Sequence, residues 1–307
     1  MHELIIVGAG PAGLAAALYA GRYRINTLVF EKMFPGGQII LSPWIDNYPA
    51  FPGGVSTEEL IARIKKQVED VGVKIEQSQV VELGQLSEDK KAIYSVRTPE
   101  KEYQAKSLIL ALGATAKRLG IPGEERLIGK GVSYCATCDG PLFKEKDVVV
   151  VGGGDKALEE ALVLTAYAKS VTIVHRRQGF RAAGILQEKV KINPKIKLLL
   201  DVVPEEIIGQ VKVDSLRIKT TLTNSNSILQ CAGVFIFVGI KPNTDFLEGF
   251  VETDKEGFIV AGKDQATSKN GIFACGDCLK KEFYQVINAC AEGAQAVYSA
   301  YKYLINL

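Results

Sequence analysis

A chain of 307 residues, 47% hydrophobic and 23% charged, has the composition of a globular protein, and its length suggests about two domains. The formal net charge of +2 creates no global basic field, which argues against nucleic acid as a partner. No uncharged apolar run approaches the roughly 18 residues of a membrane span. Met1-His2-Glu3 leads straight into apolar residues without a charged leader or cleavage site, so a cytoplasmic protein is expected.

The run Leu4-Ile5-Ile6-Val7 predicts a strand. Gly8-Ala9-Gly10-Pro11-Ala12-Gly13 predicts a tight turn opening an alanine-rich helix through Ala20, and Thr27-Leu28-Val29-Phe30-Glu31 a second strand. This strand–turn–helix–strand context makes a GxGxxG credible as a dinucleotide fingerprint. The glycines permit the turn and let backbone N–H groups approach a pyrophosphate at the helix start. Residues 74–104 alternate apolar and polar with Gly and Ser breaks, which predicts an antiparallel meander layered on the sheet. Leu108-Ile109-Leu110-Ala111-Leu112 reads as a further strand, and Ile121-Pro122-Gly123-Glu124 as a linker and turn.

The pattern then repeats. Val148-Val149-Val150-Val151 is followed by Gly152-Gly153-Gly154-Asp155-Lys156-Ala157, a helical stretch to Ala168, and Val171-Thr172-Ile173-Val174 ending in His175-Arg176-Arg177. Residues 234–238 read as a strand closing this second unit at a turn over 239–243. Residues 271–277 read as one more strand returning to the first unit, and a final helix is expected from about Tyr284 to Leu304. The expected fold is α/β, with two Rossmann-like dinucleotide-binding domains of three layers, the second inserted into the first. The outer domain comprises 1–114 with 246–307, and the inserted domain 115–245.

The ends of the second strands differ in charge. Glu31 lies 23 residues after Gly8, and His175 lies 23 residues after Gly152. A carboxylate at this place accepts ribose hydroxyls and repels a 2′-phosphate, whereas His175-Arg176-Arg177, with Arg181 nearby, suits that phosphate. Between the loops stands Cys135-Ala136-Thr137-Cys138 followed by Asp139. Two cysteines at this spacing can close a small reducible disulfide, and the adjoining carboxyl can carry the proton that thiol exchange requires. Spacing alone leaves zinc ligation open, but between two nucleotide loops the pair reads as a redox-active dithiol. A nicotinamide delivers hydride, a disulfide accepts electrons through thiolate chemistry, and a flavin bridges the two. FAD is therefore assigned to the first loop and NADPH to the second.

No metal is expected. A four-cysteine zinc site from 135/138 and 275/278 is conceivable by spacing, yet 275–278 falls where the flavin loop is expected. Cys231 and Cys290 are expected to fill core, whereas packing beside the flavin site and a partner contact explain Trp44 and Tyr48 equally well.

In these motifs, in order along nearly the whole chain, the sequence resembles the low-molecular-weight, bacterial-type thioredoxin reductases. The resemblance rests on the first glycine loop, Pro35-Gly36-Gly37-Gln38, the segment from Gly131 through Cys135-Ala136-Thr137-Cys138-Asp139-Gly140, His175-Arg176-Arg177 with Arg181, and Phe273-Ala274-Cys275-Gly276-Asp277. It implies FAD contacts from Gly8, Gly10, Pro11, Ala12, Gly13, Glu31, Lys32, Gly36, Gly37, Gln38, Asn47, Ala111 and Gly113. It also implies that Asp277 holds the ribityl chain and that Gln285 and Val286 approach the isoalloxazine. NADPH contacts are implied at Gly152, Gly154, Asp155, Ala157, His175, Arg176, Arg177 and Arg181, with Cys135, Cys138 and Asp139 catalytic. The implied activity passes electrons from NADPH through FAD and the Cys135–Cys138 disulfide to thioredoxin or a thioredoxin-like protein, in a homodimer.

Three departures stand out. Lys156 replaces the family's usual Ser, Tyr284 replaces an Arg that commonly precedes Gln285, and Cys275 with Cys278 forms a second Cys-x-x-Cys. Alternatives are a dithiol oxidase passing electrons to oxygen, a ferredoxin-linked relative, and a non-enzymatic zinc-binding flavoprotein scaffold. The retained pyridine-nucleotide residues argue against the first two.

Overall fold

Strand His2–Val7 lies between parallel neighbours Thr27–Glu31 and Glu102–Leu110. Its side chains alternate between two separate cores: Leu4 and Ile6 enter one, Ile5 and Val7 the other. A strand buried on both faces reads as a continuous apolar run. This computed structural model describes all 307 residues except 42, 43, 46 and 88–91, and of Leu41 and Cys138 the backbone alone. Two units divide the chain, Met1–Thr115 with Lys241–Leu307, and Ala116–Ile240. The sequence sets the second crossing at 245/246, whereas the structure has it at 240/241. Asn243 explains the difference, because its N–H donates to Gly113 O at 3.1 Å and its Nδ2 to Leu112 O at 2.9 Å.

In the first unit, helices Pro11–Arg22 and Val286–Ile305 cover one sheet face. Their facing positions are small, including Ala12, Ala16, Ala296 and Ala300. A Cβ on Gly293 would fall 2.1 Å from Ala12 O, so only glycine permits this approach. Lys74–Gln77 pairs parallel with Thr27–Glu31, as an edge strand of the main sheet rather than part of the expected meander. The remaining meander, Glu82–Gln85, Tyr94–Arg97 and Glu102–Leu110, is antiparallel but extends the same sheet. Its nine-residue last strand outruns its three-residue parallel partner Ile272–Ala274, which pairs only with Leu108, Ile109 and Leu110. The other half takes Tyr94–Arg97 as its hydrogen-bonding neighbour.

The second unit repeats the device. Its parallel sheet runs in the order Val132–Ser133, Gly233–Phe237, Asp147–Gly152, Ser170–His175, Ile196–Leu200. Val148 and Val150 face the helix side, and Val149 and Val151 the opposite core. The helix predicted to reach Ala168 ends at Leu164, and a turn follows. An antiparallel sheet of Val202–Ile208, Ser215–Thr220 and Asn226–Gln230 contributes Val202, Ile207, Leu216 and Ile218 to that opposite core. Sequence analysis missed these strands, whose apolar residues are interleaved with Glu205, Glu206, Arg217 and Lys219.

Candidate dinucleotide and redox sites

The first glycine loop is built by close backbone approach. Gly8 has φ +104°, and a Cβ there would fall 2.2 Å from Ala111 O. One on Gly13 would fall 1.8 Å from Gly8 O. Gly10 caps helix Pro11–Arg22 without a side-chain hydrogen bond, and Pro11 opens it, so first-turn amides remain for an anion. At the end of the second strand, Glu31 Oε2 accepts the Ala9 N–H at 2.8 Å and Oε1 the Met33 N–H at 3.2 Å. The carboxylate is thereby pinned beside the loop, with lone pairs left for ribose hydroxyls. Lys32 next to it is exposed.

Gly36 N–H donates to Ala9 O at 2.7 Å, and a Cβ on Gly37 would lie 3.0 Å from Gly10 Cα. Gln38 Nε2 donates to Ala114 O. Asn47 Nδ2 donates to Gln285 Oε1 at 3.0 Å, beside Val286 at the start of the final helix. Cys290 on that helix donates to Pro11 O at 3.7 Å. Glu31, Gly36, Gly37 and Ala111 thus meet the loop directly and Cys290 ties the final helix to it, while Gly113, with φ +64°, turns the chain after Ala111.

Asp277 supplies the test of fit for a flavin. Its half-buried carboxylate accepts no hydrogen bond among the described residues. Burial pushes its pKa up, opposed by Lys281 and reinforced by Glu292. A carboxylate that burial disfavours is stabilised by hydroxyl donors, and this one follows Gly276, where a Cβ would meet the Ala12 side chain at 2.9 Å. A hydroxyl-rich ribityl chain fits that need. Beneath it, Glu292 accepts the Gly276 N–H at 2.8 Å and the Asn288 amide at 3.0 Å, and pairs with Lys281. Sequence analysis missed Glu292 and Lys281; the available signal was an acid within an alanine-rich helix. Tyr284 accepts the Lys281 N–H at 3.2 Å and donates to Leu279 O at 3.4 Å, so it closes the turn leading to Gln285.

The extra cysteines are core thiols. Cys278 donates to Leu110 O at 3.4 Å, and burial raises its pKa to about 11; Cys275 is fully buried and raised likewise. Cys231 is buried and pushed up to about 12. Among the described residues no cluster of three or more His, Cys, Asp or Glu could hold a metal ion. Of the two readings open for the aromatic loop, core packing does not hold for Trp44, which is 55% exposed on the two-residue strand Trp44–Ile45. Tyr48 does pack, against Phe51 with ring centroids 6.2 Å apart.

The second loop repeats the first. Gly152 has φ +153°, and a Cβ there would fall 2.3 Å from Phe237 O and 2.7 Å from the Ala157 side chain. Gly154 caps helix Asp155–Leu164 without a side-chain bond. Asp155 Oδ1 accepts the Ala183 N–H at 2.7 Å, and the Arg181 N–H donates to Gly153 O at 2.8 Å. These two bonds hold the arginine-bearing loop against the glycines.

His175 departs from the cationic role assigned to it. Its ring, only 7% exposed, packs on Gly153 and on Phe180 at 5.2 Å between centroids. Burial lowers its pKa, opposed by the hydrogen bond to Gly179 O and reinforced by the three neighbouring arginines, so the neutral ring is favoured and shapes the loop. Arg176, Arg177 and Arg181 are exposed, and none makes an ion pair among the described residues. Three free guanidinium groups beside a glycine turn suit a 2′-phosphate.

Cys135 is 8% exposed and disulfide-bonded, while Cys231, Cys275, Cys278 and Cys290 are free. The Cys138 side chain, the expected partner, lies outside the described residues. Ser133 Oγ accepts the Cys135 N–H at 3.0 Å and donates to Cys135 O at 3.1 Å. The turn Ala136–Asp139 follows, with the Asp139 N–H on Cys135 O at 3.2 Å. Buried Glu160 accepts the Ala136 N–H at 2.8 Å and pairs with Lys156. Glu160 was missed in sequence, because a glutamate four residues after a lysine in a helical stretch carries no sign of burial.

Residues 2–293 match the model of the pyridine nucleotide-disulphide oxidoreductase family. The chain belongs to this family. Within it, the thioredoxin reductase of Mycolicibacterium smegmatis is 40% identical over 307 residues, covering 99% of this chain and 97% of its own. The bifunctional thioredoxin reductase/thioredoxin of Mycobacterium leprae (strain TN) is 39% identical over 306 residues, covering 99% of this chain and 66% of the relative. A solved Lactococcus lactis thioredoxin reductase, 38% identical, superposes with a TM-score of 0.96 over 100% of both chains.

Proposed function

We propose that this chain is an NADPH-dependent thioredoxin-disulfide reductase. The carrying observation is the disulfide of Cys135 in the same unit as a glycine loop fringed by three exposed arginines that make no ion pair among the described residues. The unit Met1–Thr115 with Lys241–Leu307 is assigned to FAD, and Ala116–Ile240 to NADPH. When bound, FAD supplies the two-electron relay between a hydride donor and a disulfide. Glu31 and Asp277 hold its hydroxyls, and Arg176, Arg177 and Arg181 hold the 2′-phosphate of NADPH. The disulfide accepts two electrons and becomes a dithiol, with Asp139 passing protons to and from the sulfurs. One protein thiolate then attacks the substrate disulfide, and the other protein thiol displaces the reduced substrate from the mixed disulfide, restoring the S–S bond.

The substrate is thioredoxin or a thioredoxin-like protein, a reading supported by the relative that carries both names in one polypeptide. Among the described residues no helix is long and apolar enough to cross a membrane, and a cytoplasmic homodimer is proposed. The test is a visible spectrum before and after anaerobic NADPH, with thiols counted in parallel. The flavin band should bleach and two thiols appear. Cys135→Ser should bleach equally yet lose thioredoxin reduction; undiminished turnover in that variant would remove the dithiol from the mechanism.

A further inference from the structure

Glu160 is an acid in an apolar place. It is 3% exposed, on helix Asp155–Leu164, whose Ala157, Leu158, Ala161 and Leu164 line the core of the inserted unit. Burying an ionised carboxylate is costly unless it is both paired and hydrogen-bonded. Here one oxygen accepts the Ala136 N–H at 2.8 Å, and the other pairs with half-exposed Lys156 one turn earlier. Ala136 directly follows Cys135, so the carboxylate is held at the peptide adjoining the disulfide sulfur.

We propose that Glu160 is a positioning residue and Lys156 its counter-ion, and that this pair sets the redox equilibrium of the Cys135 disulfide. The inference rests on reading that disulfide as the redox centre. Two glutathione thiols reduce it by breaking the S–S bond, giving two protein thiols and one glutathione disulfide. Above the lower protein thiol pKa, one proton leaves to solvent and a thiolate remains. A buried carboxylate nearby opposes that negative charge, and Lys156 offsets the opposition. Neutralising the carboxylate therefore favours the dithiol, and removing the lysine favours the disulfide. The other charges near the segment are Asp139 on its own turn, Glu159 on the packed helix, and Asp155, which is bound to the Ala183 N–H. The adjoining turn Gly140–Phe143 carries none.

The experiment equilibrates full-length, FAD-loaded wild type, Glu160→Gln and Lys156→Met in anaerobic glutathione buffers. Thiols are trapped by alkylation, and the peptide containing residues 135–138 is quantified. Glu160→Gln should raise the dithiol-to-disulfide ratio roughly tenfold near neutral pH, equivalent to about 30 mV, and the gain should fade as pH falls below the thiol pKa. Lys156→Met should shift the ratio the opposite way. Shifts of the same sign in both variants, or none in either, overturn the proposal. Should Glu160→Gln fail to fold, an unshifted ratio in Lys156→Met overturns it alone. Thioredoxin turnover in wild type and Cys135→Ser decides separately whether this disulfide is the redox centre.

Discussion

At the scale of the residue, neighbours with similar chemistry divide the work by burial. His175 is enclosed and neutral, while Arg176, Arg177 and Arg181 are exposed and unpaired among the described residues. A charge-assisted hydrogen bond contributes roughly 1.5–3 kcal/mol, or about 10- to 150-fold in affinity. Arg176→Ala should weaken NADPH toward the lower end of that range, because two arginines remain, and leave NADH nearly unchanged. Titration calorimetry with both nucleotides checks this, and equal losses would show that the arginines do not read the phosphate. Asp277 carries the opposite tension. Its pKa is raised in the folded chain, so its stabilising contribution is complete only below the unfolded value of about 3.9 and is lost as pH rises through the folded one. Once ionised, the carboxylate destabilises the cofactor-free fold. Asp277→Asn should raise the melting temperature of the flavin-free protein while lowering flavin retention, and a lower apo melting temperature would contradict this account.

At the scale of the element, the flavin loop depends on how tightly two helices meet. Pro11–Arg22 and Val286–Ile305 approach through alanines and through Gly293, where a Cβ would fall 2.1 Å from Ala12 O. Overpacking of this kind costs about 1–3 kcal/mol. Gly293→Ala should lower the melting temperature accordingly. It should also reduce bound flavin, because the displaced backbone at Ala12 belongs to the first turn presented to the pyrophosphate. Calorimetry and the flavin-to-protein absorbance ratio check both effects; unchanged flavin content would show that the loop tolerates the displacement.

At the scale of the whole molecule, the inserted unit joins the other at two chain crossings, near residues 115–116 and 240–241. Gly113, Gly120 and Gly239 flank them with φ of +64°, +72° and +119°, conformations that tolerate hinge rotation. Turnover requires one disulfide to meet both a flavin and a protein substrate as bulky as thioredoxin. A reversible cross-link between the units should therefore stop steady-state thioredoxin reduction, and cleaving it should restore activity. Full activity in the cross-linked protein would exclude rotation about these crossings.

The sequence by itself determined the parallel strands at the centre of each large sheet, because each first strand, at residues 4–7 and 148–151, is an apolar run that calls for burial on both faces. It also determined both glycine loops and the contrast between Glu31 and the arginines, since these depend on residue type at fixed spacing along a local turn. What only the tertiary structure decided depends on packing between segments far apart in the chain. The split role of Glu102–Leu110, the antiparallel strands from 202 to 230, the neutral state of His175, and the burial of Glu160 beside Cys135 are of this kind. A glutamate four residues after a lysine reads as a solvated helix pair until another segment closes over it. Burial and the partners it supplies are properties of the folded chain, and they turn that pair into a group acting on the disulfide.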